Sequence, residues 1–340
     1  MLFFIIFLFP AIVSAKAKSS IVIDVNSKRI LYKNNIDDKR LIASTTKIMT
    51  FLVAADKLPL DKVITVGDEV NSAYGSNTYI EKGEEISVKD LLYGLMLRSG
   101  NDCAIVLSHN IKDFVPSMNS YAKKIGMNNT SFKNPTGLDD YDDKNYSTSY
   151  DMALLSRYAY KNKFYRKVIN TYKYTLETNK KSYIWYNRNK LLKNYKYLVG
   201  GKTGFTPKAG RTLVSVASKN NLTLTMVSLN DPNHYEDQKK TYEYLFSKYK
   251  NKKLVSKGFI RIPRSIFNGK VYVKEDFYYP LTNDEEKSIK LIYKIYRLKH
   301  YNDNSKVGYV DVKLYNKTIK KINIYIKKKT PNRHFLIFSR

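Results

Sequence analysis

The sequence predicts an α+β fold: an antiparallel sheet flanked by helices, followed by a small C-terminal β domain. Three observations lead there. Strand-like alternation appears near residues 20–34 and again at about 197–230. The span between them, roughly 44–165, is mostly helical in its periodicity. Near residue 253 the pattern changes to alternation with no long helical stretch. Early and late strands that bracket a helical insertion must pair with each other, which places the helices on the faces of one sheet.

Residues 2–13 (LFFIIFLFPAIV) are nearly all apolar, and Val13-Ser14-Ala15 is a small-x-small cleavage site. That run is short for a membrane span and reads as a secretory signal peptide, residues 1–15, cut after Ala15 or Ala17. No Lys or Arg precedes it, so either the free amino terminus supplies the charge or the true start lies upstream. Export to the cell wall or the outer membrane face is the expectation.

The next elements follow from local chemistry. SIVIDV and RILYKN flank Asn26-Ser27-Lys28 and predict a hairpin. Ser44 opens the helical pattern STTKIMTFLVAADKL. Ser87 precedes VKDLLYGLML, and Ser147 or Ser149 precedes DMALLSRYAY, both as N-caps. Ser99 falls in the break between VKDLLYGLML and CAIVLSHNI. YLVGG is a short strand ended by Lys202. RTLVSVAS and LTLTMVSLN form a hairpin about Lys219-Asn220-Asn221. The helix YEDQKKTYEYLFSKYK closes a first domain, 18–252. VYVKEDFYYPL, IKLIYKIYRL and INIYI then predict a β-rich domain, 255–328. Residues 329–340 form a basic and apolar tail whose apolar run, Phe335–Phe338, is far too short to span a membrane. Pro331 interrupts any helix there, so the sequence leaves a membrane tether open.

Composition narrows the partners. Sixty basic and 30 acidic residues give a formal charge of +30, which favours polyanions such as a wall polymer or an anionic lipid surface. The lysines are scattered rather than gathered into a stripe, as expected of a bulk compositional bias. Export, together with the lack of zinc-finger or RNA-binding motifs, argues against nucleic acid. Cys103 is the single cysteine, which excludes an intramolecular disulfide and suits a small buried residue. The four histidines are far apart, and no metal-ligand spacing occurs, so no metal and no cofactor are expected.

Catalytic chemistry is therefore sought without a histidine base. Ser44-Thr45-Thr46-Lys47, Ser99-Gly100-Asn101 and Lys202-Thr203-Gly204 occur in that order. Singly they are weak. Ser-x-x-Lys recurs at Ser120–Lys123 and Ser247–Lys250, inside charged helix faces, whereas Lys-Thr-Gly occurs once. Order and context give them meaning. A serine hydroxyl is a poor nucleophile that needs an adjacent base, and Lys47 lies one helical turn from Ser44. A lysine acts as base when burial and a neighbouring cation lower its pKa, and Lys202 is the expected neighbour. In this scheme Ser99 relays a proton to the leaving amine, and Asn101 bonds both Lys47 and the substrate amide. Gly204 removes a side chain where substrate lies along the strand edge. Lys202, with Thr203 and Thr206, grips a terminal carboxylate.

With ASTTKIMT, SGNDCA, NPTGLDD, YSTSYDMALL and GGKTGFTPKAGRTLVSVAS, these motifs resemble the D-alanyl-D-alanine carboxypeptidases, low-molecular-weight penicillin-binding proteins of the β-lactamase/transpeptidase superfamily. VGYVDVKLYNKTIKKI extends the likeness into the second domain. The resemblance implies the same α+β fold, a C-terminal spacer domain, and an oxyanion hole from the backbone N–H groups of Ser44 and Phe205. It further implies removal of the terminal D-alanine from peptidoglycan pentapeptide stems through an acyl-enzyme at Ser44, with β-lactams as inhibitors. The rival activities are a D,D-endopeptidase, a β-lactamase or a non-catalytic wall-binding protein. A class A β-lactamase needs a glutamate between the second and third motifs, and Glu177 comes nearest to qualifying.

Overall fold

The computed structural model describes residues 17–139, 143–261 and 269–328. The expected signal peptide (1–15) and tail (329–340) lie outside the described residues. The chain divides into two compact units, up to Ser247 and from Lys248.

The first unit is built on a five-stranded antiparallel sheet. Its strands run in the order Ile30–Asn34, Ser19–Asp24, Leu222–Leu229, Gly210–Lys219 and Leu198–Thr206. Early and late strands meet where Ser19–Asp24 pairs with Leu222–Leu229, closing the sheet around the helical insertion. Both hairpins form as the turn chemistry requires. Lys28 adopts the left-handed region in the first (φ 65°), and Asn220 and Asn221 do so in the second (φ 50° and 62°). The strand carrying Lys202 is longer than the sequence suggests. It continues through Thr206, because the antiparallel ladder with Gly210–Lys219 holds the Lys-Thr-Gly segment extended. It is also an edge strand, with one side free of sheet partners.

Helices cover both faces. Helix Ser149–Ala159 packs on the face that carries Thr225, whose hydroxyl lies 2.7 Å from that of Ser156. Helix His234–Lys248 covers the opposite face. There Gln238 donates to Leu213 O and accepts from Ser215, and Tyr242 donates to Ser215 O. These bonds satisfy polar groups inside a dry interface. Ser87 caps its helix by accepting from Asp90 N. At the next helix the cap is Thr148, between the two serines expected there, because its hydroxyl is the one that accepts from Asp151 N.

Helix Lys47–Lys57 runs through the centre. Ile48, Met49, Phe51, Val53 and Ala54 are fully buried in one large core, and Phe51 meets Phe164 and Tyr165 at 5.8 and 5.2 Å. Burying each of the four larger side chains contributes about 1.5–3 kcal/mol. That apolar packing holds the N-terminal end of the helix, and therefore Ser44, in place. The hairpin Lys173–Glu177/Ser182–Tyr186 has no counterpart among the elements expected from sequence.

The second unit is β-rich. Its five-stranded antiparallel sheet has the order Gly258–Ile260, Gly269–Val273, Lys317–Lys328, Lys306–Leu314, Ile289–Ile295. A separate pair joins Lys250–Val255 to Phe277–Leu281. Val271, Val273, Val310, Val312, Ile324 and Ile326 form its core.

Candidate active site

Three chain segments converge beside the edge strand. Ser44 lies in a 3-10 turn, Ala43–Thr46, that runs into the Lys47–Lys57 helix. An N–H in the first turn has no intrahelical acceptor, and the helix dipole makes that end positive. Ala43, just before Ser44, takes the left-handed conformation (φ 46°), as does Ser99 (φ 64°) between helices Val88–Leu97 and Asn101–His109. Non-glycine residues held there store strain of about 1–3 kcal/mol, a feature that gathers at functional turns.

Lys47 is fully buried. Its Nζ lies 3.1 Å from Ser44 Oγ, 2.6 Å from Asn101 Oδ1 and 2.6 Å from the Thr136 carbonyl. A neutral amine has two N–H bonds and one lone pair. Asn101 Oδ1 and the Thr136 carbonyl can only accept, so they take the two protons. Of the three partners, Ser44 alone can donate, and the lone pair is left to its hydroxyl. Burial pushes the Lys47 pKa down to about 7, with Asp102 and Cys103 opposing and Arg188 adding to the depression.

Lys202 is buried on the same side, with Nζ 3.0 Å from Ser99 Oγ and 2.7 Å from the Thr203 carbonyl. Burial, then Lys47, then Arg188 hold its pKa well below the ordinary lysine value. Lys47 and Lys202 are thus neighbouring cations that oppose each other's charge, as the sequence suggested, and Arg188 acts on both. Lys202 is itself depressed because its ammonium would sit in the same dry space.

Gly204 closes the arrangement. A Cβ there would meet Thr212 Oγ1 at 2.5 Å, Ser44 N at 3.0 Å and Thr45 N at 3.1 Å. Only glycine lets the edge strand lie against the Ser44 amide. Phe205 follows with its ring exposed, and the Arg211 guanidinium stacks over it at 5.3 Å from the adjacent strand. Thr206 differs from expectation. Its hydroxyl gives its only proton to Asp139 and accepts from Ala209 N, which leaves no donor for a substrate carboxylate. It fastens the strand end instead.

Several supporting residues escaped the sequence reading. The Asn134–Asp139 stretch supplies the Thr136 carbonyl, and Gly137 (φ 85°) backs onto Ala43, whose carbonyl oxygen lies 2.0 Å from where a Cβ would stand. Asn101 Nδ2 donates to the Tyr74 carbonyl, so one of its two amide protons is engaged within the protein. The Asp102 carboxylate accepts from Thr78 N, Thr78 Oγ1 and Tyr79 N, pinning the 74–79 segment beside the serine motif. Acidic and backbone-directed roles of this kind leave no motif. Cys103 is fully buried, and burial keeps its thiol protonated. Glu177 is exposed at a hairpin end, paired across the ladder with Ser182. No carboxylate contacts Lys47 or Ser44 among the hydrogen bonds of the described residues. No cluster of metal-binding side chains occurs among the described residues.

Comparison with known proteins points to one family, whose matches include carboxypeptidases and a D-alanyl-D-alanine endopeptidase of Escherichia coli that is 32% identical over 62% of this chain and 69% of that protein. Residues 9–233 match the D-alanyl-D-alanine carboxypeptidase family, and residues 249–332 match the C-terminal domain of penicillin-binding protein 5. The chain is similar to D-alanyl-D-alanine carboxypeptidase DacF of Bacillus subtilis, 34% identical over 72% of this chain and 65% of that protein. It is 28% identical to the Escherichia coli K12 carboxypeptidase DacA over 96% of this chain and 86% of the relative. Among solved structures, penicillin binding protein 5 from Haemophilus influenzae superposes with a TM-score of 0.78 at 27% identity, covering 93% of this chain and 97% of that one. The match to the Bacillus protein thus spans a little under two thirds of that relative's length.

Proposed function

The chain belongs to the D-alanyl-D-alanine carboxypeptidase family, and from that membership we propose that it is a serine D,D-carboxypeptidase acting on peptidoglycan pentapeptide stems. The observation that carries this reading is the Lys47 amine, buried, depressed to about 7 and within reach of Ser44 Oγ.

In the proposed reaction Ser44 Oγ attacks the carbonyl carbon between the two terminal D-alanines while Lys47 takes its proton. The resulting oxyanion lies between the N–H groups of Ser44 and Phe205, each donor worth about 3–4 kcal/mol. The C–N bond then breaks, and the leaving amine receives a proton through Ser99, which Lys202 holds at 3.0 Å. Water hydrolyses the Ser44 ester and releases the shortened stem. The substrate's terminal carboxylate lies against Lys202 and Thr203, and Arg211 adds a guanidinium to the same edge. An anion there raises the pKa of Lys202 and restores its charge. Penicillins present the same carboxylate and an activated amide, and acylate Ser44. Export to the wall side of the membrane follows from the leader expected at residues 1–15. No helix among the described residues is long and apolar enough to cross a membrane.

The third partner of Lys47 is a backbone carbonyl rather than a glutamate, which favours a peptidase over a class A β-lactamase. The test is paired: release of free D-alanine from a pentapeptide against cleavage of a cross-linked dimer. Preferential D-alanine release is expected. Dimer cleavage alone would make the enzyme an endopeptidase, and neither reaction would leave a non-catalytic binding protein.

A further inference from the structure

The solvent face of the C-terminal sheet carries an aromatic and basic surface that the proposed chemistry does not use. Alternation sends Val271, Val273, Ile324 and Ile326 into the core and turns Phe259, Tyr272 and Tyr325 outward. Register places these three in one row across three strands, with Phe259 opposite Tyr272 and Tyr272 opposite Tyr325. Their ring centroids are 6.1 and 5.9 Å apart. Cations are interleaved with the row. Lys270 Nζ lies 5.6 Å from the Phe259 ring, and Lys274 Nζ lies 3.9 Å from the Tyr325 ring. Lys321, on the strand of Tyr325, has its Nζ 5.2 Å from the ring of Tyr309 on the next strand. Most nearby acids are engaged: Asp303 pairs with Lys327 at 3.0 Å, Asp276 pairs with Lys253 at 2.9 Å, and buried Asp311 accepts from Thr318, while exposed Glu275 follows Lys274 in the chain.

We propose that this face binds an anionic, sugar-bearing wall polymer that lies across the strands. Aromatic faces take the apolar C–H side of sugar rings, and the exposed ammoniums between them balance phosphate or carboxylate groups. A surface that alternates ring and cation complements a chain that alternates sugar and anion. The net charge of +30 steers any such polyanion toward the protein. A bilayer fits less well, because an interfacial anchor needs a contiguous apolar face that dips below the headgroups. Here Tyr272 and Tyr325 are half-buried, with lysine ammoniums close to the rings of the row. The choice of a wall polymer, though not of an anionic glycan, rests on the catalytic reading.

The test uses the full chain and a purified, glucosylated glycerol-phosphate teichoic acid, with affinity measured by calorimetry at two salt concentrations. Phe259→Ala/Tyr325→Ala and Lys270→Gln/Lys274→Gln should each weaken binding about tenfold, the size of one or two lost ring or cation contacts. Penicillin labelling of Ser44 and thermal unfolding should stay at parental values in both double variants. A Ser44→Ala chain should bind the polymer as the parent does, which separates this proposal from any failure of the catalytic one. Three results overturn it. One is double variants that bind as tightly as the parent. Another is a parent that binds unglucosylated polyphosphate equally well. The third is retention of phosphatidylglycerol vesicles or a single-stranded oligonucleotide with the same dependence on these four residues.

Discussion

Lys47 Nζ sits 3.1 Å from Ser44 Oγ while Asn101 Oδ1 and the Thr136 carbonyl, both at 2.6 Å, take the other two directions of the amine. The three contacts serve an ammonium that donates to all three oxygens or a neutral amine that turns its lone pair to the Ser44 hydroxyl, and burial depresses the pKa to about 7, which makes both forms accessible. Acylation of Ser44 should therefore rise with pH through about 7 and level off above it, as measured by the rate of penicillin labelling.

The same shift has a sign in stability. Between about 7 and the ordinary 10.5, the folded chain holds fewer protons at Lys47 than the unfolded chain. The contribution of this group to stability therefore grows as pH rises across that window, and is smallest below it. Lys47→Met should flatten that part of the dependence of Tm on pH.

Lys202 is expected to govern recognition of the free C-terminus. A Lys202→Ala enzyme should lose rate on both peptides through the freed Ser99, but kcat/KM for the free-acid peptide should fall about tenfold further than for the amidated one, the worth of one charge-assisted bond. Equal losses on both peptides would remove the carboxylate from the account.

Gly204→Ala places a methyl group 3.0 Å from Ser44 N and 2.5 Å from Thr212 Oγ1. Overpacking of this kind costs about 1–3 kcal/mol. Because the clash faces the amide assigned to the oxyanion, the acylation rate should fall by more than the loss in Tm accounts for.

Gly137→Ala tests whether the 134–139 stretch positions the nucleophile. The new Cβ would stand 2.0 Å from the Ala43 carbonyl oxygen at a φ of 85°. The variant should lose about 2 kcal/mol or more of stability. It should also label more slowly with penicillin at temperatures where it stays folded.

Much of this site was legible because its chemistry needs particular residues at particular spacings. Ser44 and Lys47 are one turn apart, and Lys202 ends the recognisable strand YLVGG, although the strand's continuation through Lys-Thr-Gly was not legible. The hairpins were legible from Asn26-Ser27-Lys28 and Lys219-Asn220-Asn221. What stayed hidden acts through the backbone or through burial. The carbonyls of Thr136 and Tyr74 carry no side-chain signature. Arg188 reaches the two lysines only through the folded hairpin region. Thr206 looked like a substrate ligand until Asp139 was found to hold its proton. Thr148, flanked by Ser147 and Ser149, is one of three neighbouring hydroxyls of equal capping chemistry, and only the backbone path selects it.

The most direct measurement is the site and base dependence of acylation. Fluorescent penicillin is reacted with the parent and with Lys47→Ala, and the adduct is mapped by mass spectrometry. The account predicts one adduct, on the peptide containing Ser44, and a loss of at least about 10³-fold in its rate of formation without Lys47. An adduct on another residue, or undiminished labelling in a folded Lys47→Ala chain, would contradict it.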